Sequence, residues 1–148
     1  MQIGIFYRNS VVEELYQKNS GVKTSESAGF DLVLCEDLSF SKQFEFKTAD
    51  LGIIVKPPRG HHSFLLPRSS TYSRYKLIQA NSVGLIDEDY SGAGDFWAMP
   101  LIYMGQEPTT IPMGTRLCQL VLCKTIPVTE VLPFIPGEGR GGFGSTGH

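Results

Sequence analysis

The segment Val83–Met104 has the sequence VGLIDEDYSGAGDFWAMPLIYM, in which two short apolar runs, Val83–Ile86 and Phe96–Met104, enclose an acidic and glycine-rich turn region. Apolar runs of about four to eight residues that end at turn residues are typical of β-strands. This spacing predicts an all-β fold, either an antiparallel sandwich or a small barrel. The pattern recurs along the chain in the runs Gln2–Tyr7, Phe30–Leu34, Phe44–Phe46, Leu51–Val55, Ser63–Leu66, Tyr75–Ile78, Arg116–Cys123 and Val128–Leu132.

One segment, Ser10–Lys18, has a helical pattern instead, with Ser10 as the candidate N-cap and Glu13 three residues later. A one-turn helix is also expected after Ser69–Thr71, because hydroxyl side chains accept hydrogen bonds from the first N–H groups of a helix. The rest of the chain is expected to form strands and turns.

The length of 148 residues predicts a single domain. With 13 basic and 15 acidic residues, the chain lacks the charge for a nucleic-acid-binding surface spread over the molecule. No apolar run approaches the roughly 18 residues of a membrane span, and the first residues show no export signal. Cys35, Cys118 and Cys123 lack CxxC spacing, so we expect reduced thiols and a cytoplasmic location.

From Gly137 onward the sequence is GEGRGGFGSTGH, in which half of the residues are glycine. This composition predicts a flexible C-terminal arm, 137–148, after a β-rich core, 1–136. The arm is either a disordered tail or a ligand-closing segment, since Phe143 could lie on a flat ligand while Ser145 and Thr146 surround an anion. Fully extended, it would reach about 40 Å, far enough to cross onto a neighbouring subunit.

Two short segments carry candidate phosphate and metal ligands. Asp31 in AGFDL could hold a hydrated Mg²⁺, or it could be a solvated carboxylate at a strand start. In PRSSTY, the planar donor fork of Arg68 and the hydroxyls of Ser69 and Ser70 suit phosphate oxygens. The alternative for this second segment is a capped turn with a surface arginine.

The segment NSVGLIDEDYSG, Asn81–Gly92, is the most informative. Its hairpin could present the backbone of Gly84–Ile86 to the edge of a base, with Gly84 permitting close approach. Asp87 could then act as general base for a water molecule, while the ring of Tyr90 packs on a sugar. The alternative is a solvated acidic turn, and we assign the two remaining carboxylates, Glu88 and Asp89, to that alternative.

Arg116 and Gln119 lie three apart in GTRLCQL on a predicted strand, which places them on opposite sides. Gln119 could donate to a phosphate, whereas Arg116 is expected to form a structural ion pair.

Taken in order, the segments AGFDL, PRSS, GLIDEDYSG, GTRLCQL and GGFGSTG resemble the five motifs of the trimeric dUTP pyrophosphatase (dUTPase) family. The resemblance spans Ala28–Gly147, and the stretches PRSSTY, DFW and RGGFGSTG are most similar to members from bacilli and their phages. It implies a jelly-roll-like subunit in a homotrimer, with active sites between subunits and the C-terminal arm closing over them.

The same resemblance implies Mg²⁺-dependent hydrolysis of dUTP to dUMP and pyrophosphate, by attack of water on the α-phosphorus. Asp87 would be the general base, and Asp31 would anchor the Mg²⁺ through water. Many relatives have an arginine at the position of Glu138, so Arg140, three residues before Phe143, is implied to take its place. The implied substrate-binding residues are Arg68, Ser69, Ser70, Asn81, Gly84, Leu85, Ile86, Tyr90, Gln119, Arg140, Phe143, Gly144, Ser145 and Thr146.

Two alternatives to this activity stay open from the sequence. One is dCTP deaminase, a sister activity on a similar subunit. The other is a nucleotide-gated binding protein with a regulatory protein partner. Neither a nucleic acid nor a membrane is expected as a partner.

Overall fold

The computed structural model describes residues 1–22, 24–142 and 144. Within them the chain is built mainly from strands, and every strand pairing is antiparallel. The predicted β fold is therefore confirmed. The helices are α1 (Ser10–Asn19) and α2 (Thr71–Tyr75), and the strands are β1 (Gly4–Tyr7), β2 (Gly29–Val33), β3 (Leu38–Phe40), β4 (Phe46–Asp50), β5 (Ile53–Lys56), β6 (His61–Pro67), β7 (Leu77–Gln79), β8 (Gly84–Ile86), β9 (Ala98–Tyr103), β10 (Thr109–Ile111) and β11 (Arg116–Lys124).

The largest sheet has the strand order β2-β11-β6-β8, and a second sheet has the order β4-β9-β7. Strands β1 and β5 form one further pair, and β3 and β10 form another. Along β11, Cys118 and Leu120 are buried, whereas Gln119 between them is half-buried and lies opposite Asp31 of β2. Because side chains alternate along a strand, one face of this sheet supplies the core and the other is left for a polar site. The largest buried core side chains include Trp97, Tyr16, Phe40, Leu32, Leu34, Leu51, Ile53, Leu65, Met99 and Leu101.

Most predicted strands are present, but the sequence pattern missed β3, β10 and most of β4. Strands β3 and β10 have three residues each and pair with one another. Three residues are too few to show the alternation of apolar and polar residues that marks a strand. The strand predicted at Val128–Leu132 is wrong. The described range 125–142 contains neither helix nor strand, and its apolar side chains are 71–93% exposed, since no strand of the same chain pairs with them.

Both helices form, with caps that differ from the prediction. The N-cap of α1 is Asn9, whose Oδ1 accepts from the Val12 N–H at 2.9 Å, and Ser10 is the first helical residue. At the start of α2, Ser70 makes no capping hydrogen bond within the described part of the chain. Thr71 Oγ1 instead accepts from the Arg68 N–H at 3.0 Å and donates to the Leu117 carbonyl at 2.6 Å. Neither of the helices described is long and apolar enough to cross a membrane.

All three cysteines are free thiols. Burial, followed by the nearby Asp50 carboxylate, raises the pKa of the Cys35 thiol to about 12. Complete burial also raises the pKa of Cys118. Both thiols therefore stay protonated at neutral pH, and Cys118 packs as a small apolar side chain.

An ion pair between Arg8 and Asp50 joins the end of β1 to the end of β4. Asp50 Oδ1 also accepts from the Gly52 N–H at 2.9 Å, and the guanidinium of Arg8 lies 4.6 Å from the ring centroid of Phe96. Burial alone would raise the pKa of Asp50, but the hydrogen bonds from Arg8 and Gly52 outweigh it and lower that pKa. The charged form of Asp50 thus stabilises the fold.

We expect Asp50→Asn to lower the free energy of unfolding by about 1 kcal/mol at pH 7, the usual contribution of a part-exposed charged hydrogen bond. A carboxyl whose folded pKa is lowered stabilises above its unfolded pKa, near 4, and loses that contribution as the pH falls through the folded value. The difference between the two proteins should therefore shrink towards about pH 3. Urea unfolding at both pH values measures the difference in unfolding free energy. Equal stability of the two proteins at pH 7 would contradict the stabilising role of charged Asp50.

Candidate functional site

A polar pocket of about 280 Å³ opens on the outer face of the large sheet. It brings together three candidate segments that are distant in sequence, because β2, β11 and the end of β6 are neighbours in that sheet. Ser70 is not among the lining residues and lies at the start of α2. We call this the phosphate pocket, and its lining residues are Gly21, Ser27, Ala28, Gly29, Asp31, Arg68, Ser69 and Gln119.

The electrostatic centre of the phosphate pocket is Asp31, which is only 7% exposed. Its Oδ1 accepts from Arg68 Nε at 3.1 Å, and its Oδ2 lies 3.6 Å from Arg116 Nη1. Arg68 Nη1 also donates to the Arg116 carbonyl at 3.3 Å. Two guanidinium groups around one carboxylate leave a net positive charge, which suits an anion.

The structure corrects the expectation that Arg116 and Gln119 face opposite sides of their strand. The register of β11 against β2 shifts between Arg116 and Cys118, which is the signature of a β-bulge. The shift places Arg116 opposite Val33 and Gln119 opposite Asp31, and Val33 and Asp31 lie on the same side of β2. The ion pair expected for Arg116 is present, and its partner is Asp31.

Gln119 is held in a fixed orientation. Its Nε2 donates to the Pro67 carbonyl at 3.1 Å, which leaves the second N–H of the amide for a ligand in the pocket. A Cβ atom on Gly29 would overlap Gln119 Oε1 and lie 2.9 Å from its Cδ. A side chain at position 29 would therefore displace the amide of Gln119 from this orientation.

We expect Gly29→Ala to weaken pyrophosphate binding about tenfold, the equivalent of one hydrogen bond of about 1.4 kcal/mol, because Gln119 must turn away. The displaced group is the end of a flexible side chain, so the fold should persist. Titration calorimetry measures the affinity.

Gly4→Ala is the matched control, since a Cβ atom there would lie at an ordinary 3.5 Å from Lys56 Cβ. Unchanged pyrophosphate affinity in Gly29→Ala would show that the orientation of Gln119 does not matter for binding.

A second pocket, of about 230 Å³, lies beside β8 and gathers the candidate base- and sugar-binding residues. Strand β8 is the last in the order β2-β11-β6-β8, so one edge of its backbone has no neighbouring strand among the described residues. Such an edge offers N–H and C=O groups to a ligand. We call this the base slot, and its lining residues are Leu65, Asn81, Gly84, Leu85, Ile86, Tyr90, Phe96, Trp97 and Ala98.

The structure gives a different reason for Gly84 than close approach of a base. A Cβ atom at Gly84 would lie 2.9 Å from Leu65 Cβ and 3.6 Å from Gln79 Nε2. Leu65 is the cross-strand partner of Gly84 in β6 and is buried. The glycine therefore lets β8 pack on the core beneath the slot.

Asp87 follows β8 directly and is exposed. It faces an open cleft of about 360 Å³, shared with Lys56, His62 and Thr125. The sequence pattern predicts a solvated turn for Glu88, but its side chain is half-buried and hydrogen-bonded: its Oε2 accepts from the Gly60 N–H at 2.8 Å. Of the two carboxylates assigned to that turn, Asp89 alone is fully exposed.

The phosphate pocket and the base slot share no lining residue. The phosphate pocket lies over β2, β11 and the end of β6, whereas the base slot lies beside β8, at one edge of the same sheet. In the arm, Arg140 and Gly144 are exposed, whereas the predicted positions Phe143, Ser145 and Thr146 lie outside the described residues. Among the described residues of a single chain, the two pockets are therefore separate.

Two residues of the phosphate pocket, Gly21 and Ser27, are not among the candidate residues found from the sequence. Gly21 forms an antiparallel bridge with Asp31, in which Asp31 N–H donates to the Gly21 carbonyl at 2.9 Å. The positive φ of Gly21, 118°, allows this close path after α1. A glycine just after a helix was the available signal.

Comparison with known proteins gives results that agree in sequence and in fold. A family model described as dUTPase matches residues 18–147. The SPbeta prophage-derived deoxyuridine 5'-triphosphate nucleotidohydrolase of Bacillus subtilis (strain 168) is 38% identical over 127 residues, covering 84% of this chain and 87% of that protein.

Two solved structures share the fold. The dUTPase from Streptococcus mutans has a TM-score of 0.73 at 20% identity and covers 88% of this chain and 100% of its own. A mutant dUTPase from phage phi11 of S. aureus has a TM-score of 0.72 at 17% identity and covers 94% of this chain and 100% of its own.

Proposed function

The chain belongs to the dUTPase family, and we propose that it hydrolyses dUTP to dUMP and pyrophosphate by attack of water on the α-phosphorus. The observation that carries this proposal is the convergence of Asp31, Arg68 and Gln119, from three separate segments, in one positively charged pocket. Of the parts of dUTP, the negatively charged triphosphate is the one that suits such a pocket best.

Phosphate binding would rest on donors that the fold already holds in place. Arg68 is anchored by Asp31, so its remaining N–H groups are oriented before a ligand arrives. Ser69 and the second N–H of the Gln119 amide line the same pocket. Fixed donors of this kind stabilise the charge that develops during phosphoryl transfer, and they need little rearrangement to do so.

The pocket also fits a Mg²⁺ ion that arrives with the triphosphate. Asp31 Oδ2 is buried 3.6 Å from Arg116 Nη1 and has no hydrogen-bond partner among the described residues, so a metal-bound water that reached it could donate a hydrogen bond to it. Mg²⁺ commonly uses one or two carboxylates, with waters and substrate phosphates as its other ligands. Asp31 would hold the ion through water, and the ion would neutralise charge on the departing pyrophosphate. The phage phi11 enzyme is described as coordinating a structural Mg(II) ion.

Base recognition would use the free backbone edge of β8, together with the amide of Asn81. Uracil presents acceptors where cytosine presents a donor, so the wrong base leaves buried polar groups unpaired. Tyr90, which is 45% exposed beside the slot, would pack against deoxyribose and disfavour a 2′-hydroxyl.

Asp87 would act as the general base. It comes directly after the base slot and is accessible to water, so a bound nucleotide would bring its innermost phosphate towards this carboxylate. The base orients the attacking water and takes its proton as the bond to phosphorus forms.

We propose a homotrimer in which neighbouring chains join the phosphate pocket to the base slot. The described segment 126–135 supports assembly, because its apolar side chains are 71–93% exposed in the single chain and need a covering partner. The arm that follows would then reach a neighbouring site, with Arg140 at the terminal phosphate, Phe143 over the base, and Gly144, Ser145 and Thr146 around the phosphates. A cytoplasmic location suits the three free thiols.

Asp87→Asn should retain nucleotide binding and lose about 10²- to 10⁴-fold in kcat, because the proton acceptor is removed while the side-chain shape remains. Pyrophosphate release from dUTP, dCTP, dTTP and UTP with Mg²⁺ measures activity and base preference together. Asp89→Asn is the matched control and should behave as the wild type. Unchanged turnover in Asp87→Asn would eliminate Asp87 as the base.

Truncation after Pro136 should leave an assembled, folded protein whose hydrolysis of dUTP is about a hundredfold slower, since the segment 126–135 is retained and the closing arm is lost. Light scattering reports the assembly, and pyrophosphate release reports the activity. Full activity of the truncated chain, or its loss of assembly, would contradict the role given to the arm.

A further inference from the structure

Glu88 fastens the turn that carries Asp87. Its side chain accepts from the Gly60 N–H at 2.8 Å and lies 4.0 Å from Lys56 Nζ. Its backbone carbonyl accepts from Lys56 Nζ at 3.4 Å and from Ser91 Oγ at 3.1 Å. The turn after β8 is thus tied to the loop between β5 and β6 through one residue.

Gly60 extends this connection to the C-terminal segment. Its N–H is bound by Glu88, and its carbonyl accepts from the Thr125 N–H at 2.9 Å. Thr125 is the first residue after β11 and also bonds through Oγ1 to His62 Nδ1 at 2.8 Å. The left-handed φ of Gly60, 77°, gives the loop the path that makes both bonds possible. Glu88 and the start of the segment that leads to the arm therefore both bond to the backbone of one residue, Gly60.

The neighbouring carboxylates lack such contacts. Within the described residues, the side chains of Asp87 and Asp89 make no hydrogen bond or ion pair, and both residues are exposed. The position of the Asp87 carboxylate is consequently set by its own backbone, and that backbone is held at the next residue by Glu88.

We propose that Glu88 is a positioning residue for hydrolysis, an inference that rests on the proposed role of Asp87 as general base. Through Gly60 and Lys56, Glu88 holds the turn so that the Asp87 carboxylate stays within reach of the attacking water. A general base must lie within hydrogen-bond distance of the proton it removes, and a displacement of about 1 Å can cost on the order of a hundredfold in rate. The bond to Gly60 also sets where the C-terminal segment starts, relative to this turn.

Glu88→Ala should lower kcat about 10- to 100-fold with little change in KM, because the base moves while the phosphate pocket and base slot are untouched. Glu88→Gln keeps an oxygen acceptor for the Gly60 N–H and should recover most of the activity. Glu88→Asp keeps the charge but is too short to reach Gly60, so it should resemble Glu88→Ala. Asp89→Ala is the matched control and should retain wild-type kcat.

The double variant Asp87→Asn/Glu88→Ala separates positioning from a general structural effect. If Glu88 acts through Asp87, its removal should cause no further loss of kcat in the Asp87→Asn background. An equal loss in both backgrounds, wild-type kcat in Glu88→Ala, or failure of Glu88→Gln to exceed Glu88→Asp would each overturn the proposal. If Glu88→Ala does not fold, the comparison of Glu88→Gln with Glu88→Asp decides alone.

Failure of the underlying assignment looks different. If Asp87→Asn alone keeps wild-type kcat, Asp87 is not the base, whatever the Glu88 variants show, and the positioning proposal falls with it. If Asp87→Asn is inactive and Glu88→Ala is fully active, the base assignment stands and only the positioning proposal is overturned.

Discussion

The ion pair between Asp31 and Arg68 is the interaction around which the phosphate pocket is arranged. It joins the middle of β2 to the residue just after β6, and these two strands border β11 on its two sides. It also orients an arginine that would otherwise sample many rotamers. Burial of Asp31 would be costly without this partner, so the pair and the pocket depend on each other. Arg116 adds a second positive charge, so the pocket carries a net positive charge that favours binding of a polyanion.

Strand β11 links that charge arrangement to the stability of the fold. Cys118 and Leu120 pack into the core, while Gln119 between them lies beside Asp31. The bulge before Cys118 moves Arg116 to the same side. A substitution in β11 therefore alters either the packing of the core or the polar pocket, because its side chains serve one or the other. Strand β11 therefore contributes side chains both to the polar pocket and to the core.

The sequence was sufficient for the β class, for α1, and for about half of the residues that line the two pockets, because each depends on a local pattern or an ordered set of motifs. It was insufficient where a partner lies far along the chain. Glu88 bonds to Gly60, 28 residues earlier, and no sequence pattern in the turn indicates this contact. The bulge in β11 is equally invisible, since alternation gives no sign of one inserted residue. The strand expected at Val128–Leu132 is a false prediction of another kind. An apolar run indicates that the segment will be buried, but it does not show whether the partner lies in the same chain.

The exposed apolar segment 126–135 has a thermodynamic consequence for the isolated chain. In the homotrimer proposed above, this surface would be buried only when copies meet, and burial of that kind couples folding to mass action. Heat resistance of such a protein rises with its concentration, and a dilute preparation melts earlier than a concentrated one. Expression level in the cell would then govern how long each newly made copy survives proteolysis before it finds its companions.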